Sequence, residues 1–411
     1  MRTNTGELVG FLDADSFYVS AERVRDRRLM GMPVAVLGNQ GACVIARSYE
    51  LRQTGVKVGD PVWEAAKICP QAVFIQRDFR WYEVLSRQMY EVVCSFSPCV
   101  EYYSIDEFFF TVQPPPGEPL TELAVRIRDT IREQTGLPVT VAIARTRTLA
   151  KLLADTAKPF GARAVVDPDE QRQLLAHLPV TEIAGIAGRR QARLAPYGVK
   201  SCLDLARMDR RLVRAVLTVT GEKLHRELNG EPVDPIRPQR LPHQTISRGG
   251  SIGRATADPM VVRAWLVRNL ERLIEELEYH RVRPGRVGLW LVYRQGPVGT
   301  GAVSLEVCSD RFDLLLEAFT ECFEQAWRAG ELVTGMHLVA MQLHGEGPVQ
   351  RGLFEPPPGR AEALARLKRT VNTRVRRFAL RSGATLYLPR EVYDDWANDF
   401  DICDIRGKVC F

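Results

Sequence analysis

The sequence predicts a multidomain protein that combines α/β and α+β architecture. At about 100 to 200 residues per domain, 411 residues suffice for two to four domains. Strands alternate with helices through the first half, and a second set follows the proline-spaced stretch EPVDPIRPQRLP at 231–242. Apolar residues make up 45% and charged residues 26%, a globular balance that excludes disordered, collagen-like and coiled-coil classes.

The first half opens with a buried strand. Residues 7–13 (ELVGFLD) predict a strand that ends on Asp13, and residues 15–25 predict a helix. Residues 100–112 (VEYYSIDEFFFTV) predict a second core strand, interrupted by two acids. Further elements are predicted as a helix at 120–135, a strand at 138–144 and a helix at 148–157.

The second half changes character from residue 167 onward. It is helical and basic to about residue 230, and the proline-spaced stretch then predicts an extended linker. Helices at 258–279 and 312–327, with strands at 287–293, 302–307 and 337–343, predict a compact α+β domain. Residues 345–411 predict a tail that carries one basic helix at 360–378.

Location and redox state are predicted from absences in the sequence. No stretch approaches the ~18 uncharged apolar residues of a membrane span, and the first ten residues lack the apolar middle of a signal peptide. The nine cysteines form no C-x-x-C pair, which favours reduced thiols. We therefore expect a soluble, cytoplasmic protein.

Basic residues are concentrated in two regions. Residues 181–240 hold twelve Lys or Arg against seven Asp or Glu, and residues 243–296 hold nine Arg against five acids. These excesses of +5 and +4 suggest a polyanionic partner, although a solvated helical face would have the same composition.

Three carboxylates form the strongest chemical signal. Asp13, Asp106 and Glu107 lie on two predicted core strands, where unpaired acids are costly to bury. Mg²⁺ prefers oxygen ligands, and a pair of such ions can activate a hydroxyl and stabilise a departing pyrophosphate. The alternative is that Asp13 caps a helix and the other two acids turn outward at a bulge.

Several strings resemble the Y-family, or UmuC/DinB-type, translesion DNA polymerases. FLDADSFY at 11–18 and YSIDEFFF at 103–110 resemble that family's acidic motifs, in family order with the strings that follow. The others are CVIARSYELRQTGVKVGDP at 43–61, TLAKLLADTAKP at 148–159, GIAGRRQARLAPYGVKSCLDLA at 185–206 and QRGLF at 350–354.

The resemblance implies a right-hand polymerase with four domains, a linker and a tail. These are the palm at 1–29 and 79–167, the fingers at 30–78, the helix-hairpin-helix thumb at 168–232, the linker at 233–242, the little finger at 243–344 and a clamp-binding tail at 345–411. The implied activity is template-directed, low-fidelity DNA synthesis past damaged bases, as in the SOS response. The short fingers leave little protein to test a nascent base pair.

The resemblance also assigns the metal and nucleotide sites. Asp13, Asp106, Glu107 and the carbonyl of Ala14 would bind two Mg²⁺ ions, with Mn²⁺ as a substitute, for nucleotidyl transfer from a dNTP to a primer 3′-hydroxyl. The implied nucleotide contacts are Phe17, the steric gate Tyr18, Tyr49, Arg52 and Lys158.

The resemblance further implies contacts with DNA and with a sliding clamp. Primer-template DNA would contact Gly185, Gly188, Arg189, Arg190 and Arg248 through its phosphates. A bacterial sliding clamp would bind Gln350, Leu353 and Phe354.

The branch within the family stays open. GACVIARS, YYSIDE and EQAWRAG look UmuC-like, whereas Tyr49 with Arg52 looks DinB-like, and GNQGAC at 38–43 replaces the UmuC-type SNNDGC. A UmuD-type accessory subunit is therefore an open expectation. Two alternatives to the polymerase are a non-catalytic, clamp-tethered DNA-binding scaffold and a nucleotidyl cyclase with the same palm chemistry.

Overall fold

The computed structural model describes residues 8–38, 43–239, 242–345, 360–375 and 378–393. They fall into two compact units that divide near residue 240. In the parts of the chain described, none of the helices has the length and apolar character needed to traverse a lipid bilayer.

The first unit contains eight described strands and ten described α-helices. The strands are β1 (Leu8–Ala14), β2 (Val34–Leu37), β3 (Val44–Arg47), β4 (Val73–Gln76), β5 (Val100–Tyr102), β6 (Glu107–Val112), β7 (Val139–Ala144) and β8 (Ala162–Val165). The helices are α1 (Phe17–Arg25), α2 (Tyr49–Gln53), α3 (Val62–Ile68), α4 (Phe79–Phe96), α5 (Leu120–Thr135), α6 (Arg147–Ala157), α7 (Pro168–His177), α8 (Gly188–Leu194), α9 (Cys202–Arg207) and α10 (Arg210–Leu228).

A five-stranded sheet in the order β5-β6-β1-β7-β8 forms the centre of this unit. β1 pairs antiparallel with both β6 and β7, so it is shielded on both edges. Alternate residues of β1 and β6 face α6, and the Phe11 and Phe109 rings meet there at 4.7 Å between centroids. Because one core cluster joins these rings to side chains of α6 and of α7 to α10, the helical segment packs on that face.

A smaller sheet in the order β3-β2-β4 follows the first helix. Its core contains short side chains of β2 and β3 together with Leu51 of α2 and Ala65 of α3. Ser48 follows β3 and caps α2, because its Oγ accepts a hydrogen bond from the Leu51 N–H at 3.2 Å. The first turn of α2 therefore has a fixed start.

The 100–112 run is a hairpin rather than the single strand expected. Tyr103 N–H and Ser104 N–H both donate to the Glu107 carbonyl, at 3.1 and 3.0 Å, which reverses the chain between β5 and β6. Glu107 therefore begins β6 and Asp106 immediately precedes it, where the backbone turns, so neither acid lies in the middle of a strand.

The second unit is an antiparallel sheet covered by helices. Strands β9 (Thr245–Thr256), β10 (Val282–Tyr293), β11 (Gly299–Ser304) and β12 (Val333–Gly345) form the order β11-β10-β12-β9. Helices α11 (Pro259–Tyr279) and α12 (Phe312–Ala326) supply most of the opposing core side chains.

The described part of the C-terminal segment packs on the second unit. Helix α13 (Arg360–Arg374) contributes Lys368, whose Nζ pairs with Glu271 of α11. Phe378, Leu388, Val392 and Tyr393 enter the core cluster of this unit. These residues of the segment expected to be a tail are therefore an integral part of the second unit.

Candidate active site

Two neighbouring strands place the acidic residues together. Asp13 on β1 and Glu107 on β6 are direct cross-strand partners, so their side chains share one face of the sheet. The Ala14 N–H donates to the Asp106 carbonyl at 2.9 Å, which fixes the third acid beside the first. Asp13 and Asp106 are buried, at 8% and 5% exposure. The structure thus brings the three predicted carboxylates to one end of the sheet.

Helix α6 supplies cations to this cluster. Lys158, which follows the last turn of α6, lies 2.8 Å from Asp13 Oδ2 and 3.1 Å from Asp155 Oδ1. Lys151, two turns earlier on the same helix face, lies 2.6 Å from Glu107 Oε1. Each member of the cross-strand acid pair therefore has its own lysine.

Burial makes Asp13 hard to ionise. Loss of solvent raises the pKa of its carboxyl to about 8, with Asp106 and Glu107 adding to the rise and Lys158 opposing it. Burial also disfavours the ammonium charge of Lys158, yet Asp13 and Asp155 together raise its pKa above the ordinary value. Burial therefore favours the protonated form of Asp13, whereas Lys158 keeps its positive charge beside it.

The acidic cluster has the donor chemistry of a divalent metal site. Among residues 8–38, 43–239 and the later described ranges, no three Asp, Glu, His or Cys side chains stand ready-arranged to hold an ion. Glu107 and Asp13 instead form ion pairs with Lys151 and Lys158. The donors are nevertheless all oxygens on buried or largely buried side chains, so the residues fit a hard divalent cation.

Asp15 organises the neighbouring loop. Its carboxylate accepts hydrogen bonds from the Phe160 N–H at 2.7 Å and from Thr140 Oγ1 at 3.2 Å. Tyr49 Oη lies 3.4 Å from the same carboxylate, and burial together with Asp15 raises the pKa of Tyr49 to about 12. The phenol is thus a neutral hydrogen-bond donor beside the acidic cluster.

The other predicted nucleotide contacts differ in exposure. Arg52 lies on α2 with its side chain exposed. Phe17 and Tyr18 are 3% and 5% exposed and lie in an aromatic cluster on α1 and α4. Tyr18 stacks on Tyr82 with 4.8 Å between ring centroids. The ring of Tyr18 is therefore held rigidly at the start of α1.

The predicted DNA contacts of the first unit surround the start of α8. Gly185 has a φ of +91°, which favours glycine, and Gly188 begins the helix. Arg190 Nη1 donates to the Gly185 carbonyl at 2.9 Å, so this side chain closes its own loop. Arg189 is exposed. Arg190 therefore stabilises the loop, whereas the Arg189 side chain points to solvent.

Arg248 lies in the second unit, on β9, and pairs with Glu276 of α11. The predicted clamp contacts Gln350, Leu353 and Phe354 lie outside the described residues.

Lys151, Asp15 and Ser104 were not expected to be part of the site. Ser104 Oγ donates to Asp106 Oδ1 at 2.7 Å and holds that carboxylate in the hairpin turn. The seven-residue spacing between Lys151 and Lys158 was a usable signal, since it places both lysines on one helix face. No sequence pattern pointed to the partners of Asp15.

Comparison with known proteins decides the family. A model of the impB/mucB/samB family matches residues 12–155, and a model of that family's C-terminal domain matches residues 243–353. Protein UmuC of Salmonella typhimurium is 31% identical over 363 residues, covering 85% of this chain and 86% of that protein. The chain belongs to the Y family of DNA polymerases.

Other Y-family proteins agree with this assignment. DNA polymerase IV of Bacillus velezensis is 26% identical over 391 residues, covering 93% of this chain and 94% of that protein. A solved Y-family DNA polymerase chimera, Dbh-Dpo4(243-245)-Dbh, superposes with a TM-score of 0.70 at 22% identity and covers 82% of this chain and 100% of its own. The fold is therefore the palm, fingers and thumb architecture of this family, and relatives carry both UmuC and polymerase IV names.

Proposed function

We propose that this Y-family chain is a template-directed DNA polymerase that performs translesion synthesis. The observation that carries the proposal is the cross-strand pair Asp13 and Glu107, with Asp106 fixed beside it by the Ala14 hydrogen bond. The reaction joins the primer 3′-oxygen to the α-phosphorus of a deoxynucleoside triphosphate and breaks the bond to pyrophosphate. The relatives' names give no support to a non-catalytic scaffold.

Asp13, Asp106, Glu107 and the Ala14 carbonyl would hold two Mg²⁺ ions, with Mn²⁺ as a substitute. Bound there, the ions would make the primer 3′-hydroxyl more acidic and neutralise the departing pyrophosphate. The burial of Asp13 and Asp106 keeps water from competing for the same oxygens. The acids would then act mainly by positioning the reactants and by electrostatic stabilisation, as in phosphoryl transfer generally.

Lys158, Tyr49 and Arg52 would receive the triphosphate. Lys158 is already charged beside Asp13, and Tyr49 offers a neutral hydroxyl next to it. Arg52 is exposed, and its planar guanidinium matches two phosphate oxygens. Phe17 and Tyr18 would form the floor beneath the sugar, where the Tyr18 ring excludes a ribose 2′-hydroxyl.

The polymerase would hold DNA mainly through phosphates. The loop at Gly185 to Arg190 presents small residues and the exposed Arg189. Arg248 is a weaker candidate, because its partner Glu276 would have to release it. Gln350, Leu353 and Phe354 would bind a bacterial sliding clamp, which raises the local concentration of a weakly bound enzyme. The UmuC-like strings make a UmuD-type subunit a further candidate partner.

Primer extension tests the function. Purified chain with Mg²⁺ and dNTPs is given undamaged and abasic templates, alongside Asp106→Asn and Glu107→Gln. We expect the wild type to extend both primers, with passage beyond the abasic site, and both variants to lose extension while retaining DNA binding. No primer extension by the wild type, even with clamp and accessory subunit added, would contradict the proposal.

A further inference from the structure

Lys151 has no assigned role, yet it contacts the acidic cluster directly. Its Nζ lies 2.6 Å from Glu107 Oε1, and the two side chains are 22% and 16% exposed. The same ammonium lies 4.9 Å from the centroid of the Phe11 ring and 5.3 Å from that of Tyr103. Two aromatic faces and a carboxylate therefore hold the cation in one place.

The ion pair uses an oxygen that metal binding would require. Glu107 faces Asp13 across the two strands, so Lys151 approaches the acid pair from α6 on the same face of the sheet. Lys158 stands in the equivalent relation to Asp13 at 2.8 Å. Each lysine thus contacts one carboxylate oxygen of the acid pair from within the protein.

We propose that Lys151 is a positioning residue that pairs with Glu107 in the ion-free enzyme and must leave it before this carboxylate can bind a divalent cation. The pair holds the Glu107 side chain along the face of the sheet, at the cost of weaker cation binding. Lys151 therefore sets the concentration of divalent cation at which the polymerase site fills. This inference rests on the proposed function, since it assumes that Glu107 is a metal ligand.

Mn²⁺ binding to the full chain, without DNA or nucleotide, tests the inference by electron paramagnetic resonance. Lys151→Met removes the competing ammonium but keeps the aliphatic stem. We expect it to bind Mn²⁺ about two- to fivefold more tightly, since displacing an ion pair of ordinary strength costs a factor of that order. The matched control is Lys67→Met, on the exposed surface of α3, which should leave Mn²⁺ binding unchanged.

A double-mutant cycle separates pairing from a general charge effect. In the Glu107→Gln background, the Lys151 ammonium and Mn²⁺ no longer compete for the Glu107 carboxylate. Lys151→Met should therefore change Mn²⁺ affinity by clearly less than in the wild type. An equal change in both backgrounds would overturn the proposal, as would unchanged affinity of Lys151→Met. Should that variant fail to fold in a thermal melt, Lys151→Gln serves the same comparison.

Two failures can be told apart. Primer extension by the wild type with unaltered Mn²⁺ binding in Lys151→Met would reject the role of Lys151 alone. Mn²⁺ binding that does not depend on Glu107 at all would instead reject the metal site of the proposed function.

Discussion

Arg147 and Glu101 form an ion pair in the interior of the first unit, with both side chains less than 10% exposed. Arg147 Nη2 lies 3.1 Å from Glu101 Oε1, and the guanidinium also stacks over the Phe109 ring with 4.1 Å to its centroid. The pair reaches the proline-spaced segment as well, since Arg237 N–H donates to Glu101 Oε2 at 2.7 Å. The Pro235 carbonyl accepts from Arg147 at 3.2 Å. The first part of the expected linker is therefore fixed to the central sheet.

Breaking this pair should free the segment. Arg147→Met leaves Glu101 charged and buried without its main partner, which typically costs about 3 to 5 kcal/mol. Hydrogen exchange is the measurement, and we expect faster exchange at the amide of Arg237 together with a lower melting temperature. Arg126→Met, which breaks a largely exposed pair with Glu118, is the control and should leave Arg237 protected. Unchanged protection in Arg147→Met would show that the pair does not anchor the segment.

The raised pKa of Asp13 predicts a pH-dependent stability in the absence of divalent cations. The carboxyl titrates near 3.8 in the unfolded chain and at about 8 in the folded one, so the folded state binds an extra proton between these values. Stability should therefore fall as the pH rises from about 4 to 8, and the loss is complete above 8. Asp13→Asn should raise the melting temperature more at pH 8.5 than at pH 5, measured in EDTA.

Asp129→Asn provides the control for this pH series. Asp129 lies on α5 with its side chain 52% exposed. The same melting-temperature change for Asp13→Asn at both pH values would contradict the assignment of a high pKa to Asp13.

Tyr18 is predicted to select deoxyribonucleotides. Tyr18→Ala removes the ring, so we expect the preference for dNTP over rNTP in single-nucleotide incorporation to fall by roughly 10- to 200-fold, the range for one group in a pocket. It should also destabilise the fold, because the Tyr82 ring loses its stacking partner. Tyr18→Phe keeps the ring and should preserve the preference. A selectivity that survives the alanine substitution would assign the gate elsewhere.

The two arginines at the start of α8 should behave differently. If the exposed Arg189 binds a DNA phosphate as proposed, Arg189→Ala should make the slope of log affinity for DNA against log salt shallower by about 1. Arg190→Ala instead removes the hydrogen bond to the Gly185 carbonyl and should lower thermal stability. Fluorescence anisotropy at several salt concentrations measures the first effect. Equal salt slopes for Arg189→Ala and the wild type would exclude the contact.

Local sequence patterns predicted many elements closely. The apolar run and its terminal acid placed the first strand at 7–13, against Leu8–Ala14 in the structure, and the helix at 120–135 was confirmed as Leu120–Thr135. The hairpin at 100–112 was missed because β-branched and aromatic residues continue through it. The turn depends on the hydrogen bond from the Ser104 N–H to the Glu107 carbonyl, which the periodicity of apolar residues does not predict.

Contacts between distant residues were the harder part. Strand β9 was missed because its glycines weaken the alternation of apolar and polar residues. The three acids were predicted from their motifs, whereas Lys151 and the anchoring of Arg237 by Glu101 depend on how the sheet and α6 come together. Lys151 and Glu107 are 44 residues apart in the sequence, and Arg237 and Glu101 are 136 residues apart. Local sequence patterns therefore cannot predict these contacts.

The most direct test of the catalytic role of the acid pair is single-turnover incorporation of one dNTP by Asp13→Asn, with DNA affinity measured in parallel. If Asp13 and Glu107 act together in nucleotidyl transfer, the rate should fall by several orders of magnitude while DNA binds as in the wild type. Asp129→Asn should incorporate at the wild-type rate. Incorporation by folded Asp13→Asn at a rate near that of the wild type would contradict the central claim, because the cross-strand acid pair would then have no part in the chemistry.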